Sequence, residues 1–327
     1  MKKYVFIIGV ICLFWRCGSP SYRQLEGTIY GTYYHVKYQS STDWNARIYE
    51  QMDRVNHSLS MFDSLSVVSQ LNRGSSDRVD SLFMRLFGMA RQVYQETDGA
   101  FDITVAPLSN AWGFGYKHGN MPTALQVDSL LQWVGFDKLQ LTGDRLERKA
   151  GMEIDASSIA KGLGVDLVAE FLDRQGVRNY MIDIGGEERV KGQSDKNRPW
   201  RIGIDKPIDD AAAAGRELLM VIALTEGALA TSGNYRNFYI YEGKKYAHTI
   251  DPRTGYPVQQ DILSSTVYAP TCMEADAYAT SFMVLGLEKS RKVLENRPEL
   301  QACFVYLDRG ERKIWMTEGF RTFIVKE

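Results

Sequence analysis

The sequence predicts an α/β or α+β fold in which helices pack against a mostly antiparallel sheet. Apolar residues recur every three or four positions over 44–60, 82–95 and 157–175, which is the period of an amphipathic helix. Short runs of β-branched and aromatic residues, bounded by turn residues, have the pattern of strands. No repeat or low-complexity linker divides residues 22–327, so we interpret them as one domain.

The predicted elements begin with a strand and end with a pair of strands. The first strand covers 27–38 and is interrupted by Gly31, and the helix over 157–175 ends before Gly176, a favoured helix-ending residue. The other predictions are strands over 179–184, 200–204, 218–224 and 264–269, a hairpin of 238–241 with 244–250, a helix over 272–285 and two closing strands around Asp308-Arg309-Gly310.

The charge composition argues against nucleic-acid binding. The 327 residues carry 39 Lys and Arg against 40 Asp and Glu, which gives a formal net charge of −1. A nucleic-acid-binding surface needs a basic excess, so no nucleic-acid partner is expected. The hydrophobic content of 44% is enough for a full core.

Residues 1–16 have the layout of a bacterial signal peptide. Positive charge at residues 1–3 precedes an apolar run, and Cys17 follows directly. A cysteine here resembles a lipoprotein processing site, so we expect a lipidated Cys17, a tether over 17–21 and a periplasmic protein anchored to the membrane by its lipid. Residues 14–16 fit the usual small-residue motif poorly, which leaves simple secretion and an uncleaved anchor as alternatives.

The remaining cysteines predict no disulfide framework. Only Cys272 and Cys303 belong to the predicted folded body. Cys303 lies in a strand-like run, and we interpret both as buried thiols.

Asp276 and Thr280 form the first candidate site. They stand four residues apart in a predicted helix, so the carboxylate and the hydroxyl lie one turn apart on one face. Their neighbours are small or apolar, which predicts a buried carboxylate in need of a partner. One carboxylate, one hydroxyl and a main-chain carbonyl suit Mg²⁺, which takes its other ligands from water and phosphates. An ordinary surface pair is the alternative.

The second candidate segment is 153–162, at the start of a predicted helix. Asp155, Ser157 and Ser158 lie where free N–H groups and the helix dipole favour anions. Lys161, one turn further on, is within reach of a phosphate bound there. Simple N-capping is the alternative, but it leaves Lys161 unexplained. Together the two candidate segments indicate phosphoryl chemistry on a nucleotide.

His248 is the candidate acid or base. It lies at the end of the predicted hairpin, and Asp251 stands three residues further on. Asp251 either orients the imidazole or begins the turn at 252–255. A purely structural histidine is the alternative.

The sequence lacks the motifs of several common nucleotide, metal and hydrolase sites. Gly185-Gly186 follows an apolar strand, but I-G-G-E lacks the G-x-G-x-x-G spacing and no helical pattern follows, so we reject a nicotinamide-type fold. The chain also lacks G-x-x-x-x-G-K-[ST], C-x-x-C, H-E-x-x-H and G-x-S-x-G motifs. P-loop NTPases, common zinc sites and common serine hydrolases are therefore excluded.

In their order along the chain, these segments resemble the ApbE family of FAD:protein FMN transferases. The motifs are G-T-Y-Y-H-V from Gly31, S-M-F-D-S-L-S from Ser60, T-D-G-A-F-D-I-T from Thr97, D-A-S-S-I-A-K-G from Asp155, A-L-A-T-S-G-N-Y-R-N from Ala228, H-T-I-D-P-R-T-G from His248 and A-D-A-Y-A-T from Ala275. They span nearly all of the predicted mature chain. The resemblance implies a single catalytic domain related to the tunnelling fold.

The resemblance implies a Mg²⁺-dependent reaction on FAD. A threonine hydroxyl of an acceptor protein attacks the FMN phosphorus, FMN becomes esterified to that protein, and AMP is released. The implied Mg²⁺ ligands are Ser158, chiefly through its main chain, Asp276 and Thr280, and the implied base is His248. The implied FAD contacts are Tyr30, Phe62, Ala100, Phe101, Asp102, Asp155, Lys161 and Ile250, with Arg236 as a further positive charge.

The resemblance also implies partners and leaves other functions open. The implied acceptors are flavoprotein subunits of membrane redox complexes, Nqr-like or Rnf-like, that carry a target threonine. A Mg²⁺-dependent FAD pyrophosphatase, in which water replaces the threonine, fits the same residues. So does a lipoprotein that binds FAD without reacting.

Overall fold

The computed structural model of the chain describes residues 21–115, 121–207, 217–234, 238–241, 244–259 and 261–325. Over 238–241 and 244–247 only the backbone is described. The predicted signal peptide, Cys17 and Arg236 lie outside the described residues. Among those residues, no helix combines the length and the apolar character needed to cross a membrane.

Helices and strands alternate irregularly along the chain. The helices of the described residues are α1 (Asn45–Leu59), α2 (Val67–Arg73), α3 (Ser81–Glu96), α4 (Ala106–Ala111), α5 (Ala124–Leu131), α6 (Ser157–Arg174), α7 (Cys272–Leu285), α8 (Leu287–Asn296) and α9 (Glu318–Arg321). The strands are β1 (Tyr22–Ile29), β2 (Thr32–Gln39), β3 (Gln140–Thr142), β4 (Arg145–Glu147), β5 (Tyr180–Ile184), β6 (Glu187–Lys191), β7 (Trp200–Asp205), β8 (Leu218–Leu224), β9 (Glu226–Gly233), β10 (Phe238–Tyr241), β11 (Lys244–Ala247), β12 (Ile262–Ala269), β13 (Gln301–Asp308) and β14 (Glu311–Met316). The four predicted helices correspond to α1, α3, α6 and α7.

One large sheet lies at the centre of the fold. Its strand order is β1-β2-β5-β6-β9-β12-β13-β14, while β3 with β4, β7 with β8, and β10 with β11 form separate two-stranded sheets. Every pair of strands within the described residues is antiparallel. The predicted fold class, helices packed on a mostly antiparallel sheet, is therefore confirmed.

The predicted single strand over 27–38 is wrong, because the chain reverses within it. β1 and β2 pair antiparallel, with Ile29 opposite Thr32. Tyr30 and Gly31 between them have φ angles of 52° and 73°, the left-handed conformation that a two-residue hairpin turn of this kind requires at both positions. Gly31 adopts it without steric cost. The glycine therefore marks a turn between two strands.

Helices α6 and α7 pack against each other and carry the two candidate segments. α7 also contacts β9, β12 and α3, so it is enclosed between the sheet and the other helices. Every residue of α7 is buried except Thr280. That exception is one of the predicted metal ligands.

A buried ion pair fixes the start of α7 against α6. Asp166 of α6 is 0% exposed and accepts hydrogen bonds from the N–H groups of Cys272 and Met273, each at 2.9 Å. Arg189 donates to the same carboxylate at 2.5 Å. The first N–H groups of a helix lack partners within the helix and form the positive end of its dipole, so a carboxylate there stabilises it. Asp166 therefore positions α7 relative to α6.

The close approach of α6 to α7 requires glycine at position 162. A Cβ there would lie 2.5 Å from the carbonyl oxygen of Cys272 and 2.7 Å from the Cα of Met273. We expect Gly162→Ala to lower the free energy of unfolding by about 1–3 kcal/mol, the usual cost of overpacking, in denaturant titrations. The matched control is Gly88→Ala, since Gly88 lies inside α3 with open space at its Cβ position. Equal losses in both variants would contradict the prediction.

Both cysteines of the described residues, Cys272 and Cys303, are free and buried, as predicted. Burial raises the pKa of the Cys303 thiol to about 12. A thiol in this state is a poor nucleophile and a poor metal ligand.

Candidate active site

One cleft of about 350 Å³ brings the two candidate segments together. It lies where the start of α6, one face of α7 and the end of β9 meet. Ten of the residues predicted from the sequence line it: Ala100, Phe101, Asp102, Asp155, Ser158, Lys161, His248, Ile250, Asp276 and Thr280. Residues separated by more than a hundred positions in the chain therefore share one cavity.

Tyr30 and Phe62 line a smaller, neighbouring pocket of about 150 Å³. Ser157 and Lys161 belong to the lining of both cavities, so the small pocket adjoins the main cleft. The Tyr30 hydroxyl donates to the carbonyl oxygen of Met52 at 2.6 Å. The part of Tyr30 that can contact a ligand in this pocket is therefore its aromatic ring. Phe62 is 81% exposed. This pocket is mostly apolar and suits a flat ring.

A chain of alternating charges lies on one wall of the cleft. The Lys161 ammonium lies 2.6 Å from Oε1 of Glu187 and 4.0 Å from Oδ1 of Asp276. Burial lowers the pKa of Lys161, but Asp276 and Glu187 outweigh it and raise that pKa overall. Burial raises the pKa of Glu187, and the adjacent Lys161 ammonium opposes that shift. Lys161 therefore remains a cation between two carboxylates.

The donor set fits a hard divalent cation. Oδ2 of Asp276 accepts the N–H of Gly162 at 3.1 Å, and the Thr280 hydroxyl lies 3.2 Å from that of Ser232. Burial raises the pKa of Asp276, a cost that a bound cation would offset. Among the described residues, no cluster of three or more His, Cys, Asp or Glu side chains could hold a metal ion. A cation here would depend on Asp276, hydroxyl and main-chain oxygens, and the substrate.

Asp155 and Asp102 are both built into turns of the cleft wall. Oδ1 of Asp155 accepts the N–H of Ser157 at 2.9 Å, a turn contact just before α6, whose N-cap position is Ala156 and has no side-chain cap hydrogen bond. Oδ1 of Asp102 accepts the N–H and the hydroxyl of Thr104, and its Oδ2 accepts the N–H of Phe136 at 2.9 Å. Burial raises the pKa of both carboxyl groups. Both therefore help to fix the shape of the cleft, and their contact with FAD stays a prediction.

His248 lies in the cleft directly after β11. Its ring stands edge-on to Phe114 with 6.4 Å between centroids. The carboxylate of Asp251 accepts two hydrogen bonds from the Arg253 guanidinium, each at 2.8 Å, and the Asp251 carbonyl accepts the N–H of Gly255 at 2.8 Å. These contacts support the turn interpretation of Asp251, and its orientation of the His248 imidazole stays a prediction.

Gly185 and Gly186 form the turn between β5 and β6, with φ angles of 66° and 99°. A strand follows them, so the rejection of a nicotinamide-type fold is confirmed. Phe101 is 2% exposed and belongs to the main core as well as to the cleft wall. Trp112 is buried and donates its indole N–H to the Gly255 carbonyl at 2.8 Å, which agrees with a core role.

Five polar residues of the cleft escaped prediction: Ser109, Glu187, Thr231, Ser232 and Thr249. Glu187 begins β6, and Thr231 and Ser232 lie near the end of β9. The threonine and serine belong to the motif from Ala228, which has no clear strand alternation. For Glu187 the sequence offers only an acidic residue directly after Gly-Gly, and its burial is known only from the structure.

Comparison with known proteins gives one consistent result. The ApbE family model matches residues 30–304. The FAD:protein FMN transferase of Haemophilus influenzae is 37% identical over 306 residues, covering 88% of this chain and 87% of that protein. The protein of the same name from Vibrio cholerae is 33% identical over the full length of both. The solved structure of flavin transferase ApbE from Vibrio cholerae matches with a TM-score of 0.82 and 34% identity, covering 93% of this chain and 99% of that one.

Proposed function

The chain belongs to the ApbE family, and on that premise we propose that it transfers FMN from FAD to an acceptor protein. A threonine hydroxyl of the acceptor forms a bond to the FMN phosphorus, the bond from that phosphorus to the bridging oxygen breaks, and AMP leaves. The observation that carries the proposal is one cleft lined by Lys161, Asp276 and His248. Positive charge for a diphosphate and a base for a hydroxyl are what such a transfer needs.

The charge balance of the cleft supports a role for Mg²⁺. Asp276, Glu187 and Lys161 together carry one net negative charge when all are ionised, and a diphosphate adds more. Asp276, Thr280 and Ser158 would hold the cation, which when bound neutralises charge on the diphosphate and on the leaving AMP. Lys161 adds a permanent positive charge beside it.

The remaining parts of the cleft would orient the two reactants. The small pocket of Tyr30 and Phe62 offers apolar surface to a ring of FAD. His248, in its neutral form, can accept the proton that the threonine hydroxyl loses as it attacks. The Asp102 and Asp155 turns hold their part of the cleft wall in place, so little reorganisation is needed when FAD binds.

Mass spectrometry of an acceptor tests the proposal. The purified protein is incubated with FAD, Mg²⁺ and an acceptor domain, and we expect the domain to gain the mass of FMN less one water while AMP appears in equal amount. An acceptor in which the target threonine is replaced by alanine serves as the control. Free FMN with an unmodified acceptor would identify a pyrophosphatase instead, and bound, intact FAD would identify a carrier.

We also propose that the protein is a periplasmic lipoprotein that modifies flavoprotein subunits of Nqr-like or Rnf-like membrane complexes. The charged start, the apolar run and Cys17 support the location. We expect Cys17→Ala to move the protein from the membrane fraction to the soluble fraction, as measured by fractionation and immunoblotting, because the lipid is the anchor. Cys303→Ala is the matched cysteine control. Retention of Cys17→Ala in the membrane would contradict the anchor.

A further inference from the structure

Glu187 is the carboxylate of the cleft that the proposed reaction leaves without a role. It is the first residue of β6 and follows the Gly185-Gly186 turn. Side chains alternate along a strand, so Glu187 lines the catalytic cleft while Glu188 lines a different pocket. The geometry of the turn therefore directs this carboxylate into the cleft.

The two oxygens of Glu187 have different environments. Oε1 lies 2.6 Å from the Lys161 ammonium, and the side chain is 6% exposed. Oε2 is buried and has no hydrogen-bond partner among the described residues. A buried carboxylate oxygen without a partner destabilises the folded state. Its retention in a cleft indicates that a ligand supplies the missing donor.

The chemistry of a carboxylate limits what that donor can be. An ionised carboxylate only accepts hydrogen bonds, and it repels phosphate oxygens, so the diphosphate itself is not the partner. Lys161 joins Glu187 to Asp276, and all three residues line the cleft, so the Glu187 carboxylate is next to the proposed diphosphate site. In FAD the donors next to the diphosphate are the hydroxyls of the ribityl chain and of the ribose, whereas the ring N–H groups lie at the two ends of the molecule.

We propose that Oε2 of Glu187 accepts a hydrogen bond from a sugar hydroxyl of the dinucleotide while Oε1 holds Lys161 against the diphosphate. The inference rests on the proposed function, because it takes FAD as the ligand. It makes Glu187 a specificity-determining residue, which separates a nucleotide with its sugars from a bare diphosphate. Lys161 alone would bind both.

Glu187→Gln separates the contact with the sugar hydroxyl from the positioning of Lys161. The glutamine carbonyl can still accept from Lys161, but the neutral amide lacks the negative charge that strengthens a hydrogen bond from the sugar hydroxyl. With Mg²⁺ present, we expect the Kd for FAD, from flavin fluorescence, to rise about tenfold or more. The Kd for inorganic pyrophosphate, from calorimetry, should rise less than about twofold. The control is Glu226→Gln, an exposed glutamate at the start of the adjacent β9.

The outcomes distinguish the contact from the proposed function. Equal weakening of FAD and pyrophosphate would show that Glu187 only positions Lys161, and unchanged FAD binding would also overturn the contact. A wild-type protein that bound neither ligand would overturn the proposed function together with it. If Glu187→Gln does not fold, the wild type is tested with FAD analogues that lack the ribityl hydroxyls or the ribose hydroxyls. At least one analogue should bind tenfold more weakly, and normal binding of both would refute the proposal.

Discussion

Asp276→Asn is expected to slow FMN transfer by about a thousandfold or more and to abolish its dependence on Mg²⁺. The asparagine carbonyl can still accept the N–H of Gly162, so the contact between α6 and α7 persists. What is lost is the negative charge that would hold the cation, and a bound cation contributes several kcal/mol of charge stabilisation in the transition state. The measurement is the initial rate of acceptor flavinylation over a Mg²⁺ titration.

The control for this change is Asp128→Asn, an exposed aspartate on α5, which should transfer FMN at the wild-type rate. Circular dichroism and thermal melting establish whether each variant is folded. If folded Asp276→Asn turned over normally and still responded to Mg²⁺, the metal site would lie elsewhere in the protein.

His248→Ala is expected to reduce the transfer rate by about 10²-fold to 10⁴-fold, the range that general-base catalysis contributes. FAD binding should change little, because the imidazole acts on the proton of the incoming threonine and the rest of the cleft remains. The rate is measured by acceptor mass and the affinity by flavin fluorescence. A loss confined to the rate of the chemical step identifies a group that acts in the transition state.

His35→Ala is the matched control, since His35 is exposed on β2. Added imidazole should restore part of the activity of His248→Ala, because the cavity left by the side chain can admit a free base. A variant that lost FAD binding and transfer to the same degree would show that His248 serves binding and not proton transfer.

The parts of the site that the sequence predicts are those with a strong local signal. The helical period places Asp276 and Thr280 on one face, and the small residues around them indicate burial, which the structure confirms. The segment from Asp155 to Lys161 contains the start of α6 at Ser157, where the sequence predicts it from the apolar period that follows. That these segments meet follows from the family resemblance, since no local pattern encodes the packing of α7 on α6.

Other features depend on tertiary contacts that a single segment does not reveal. The turn at Tyr30-Gly31 looks like an interruption because the residues on both sides have the same strand-like composition. Asp102 looks like a free hydrogen-bond acceptor, but Phe136, 34 positions away, occupies one of its oxygens. Glu187 can be recognised as a site residue only from the structure, which places the start of β6 beside Lys161.

The hydrogen bond from Gly162 to Asp276 spans 114 positions of the chain, and it has a thermodynamic consequence. Only the native state contains the cleft between these helices, so a ligand that occupies it has almost no affinity for the unfolded chain. By mass action, a ligand present at a hundred times its Kd adds about 2.7 kcal/mol to the free energy of unfolding. The supply of flavin should therefore help to determine how long the folded protein survives heat and proteolysis.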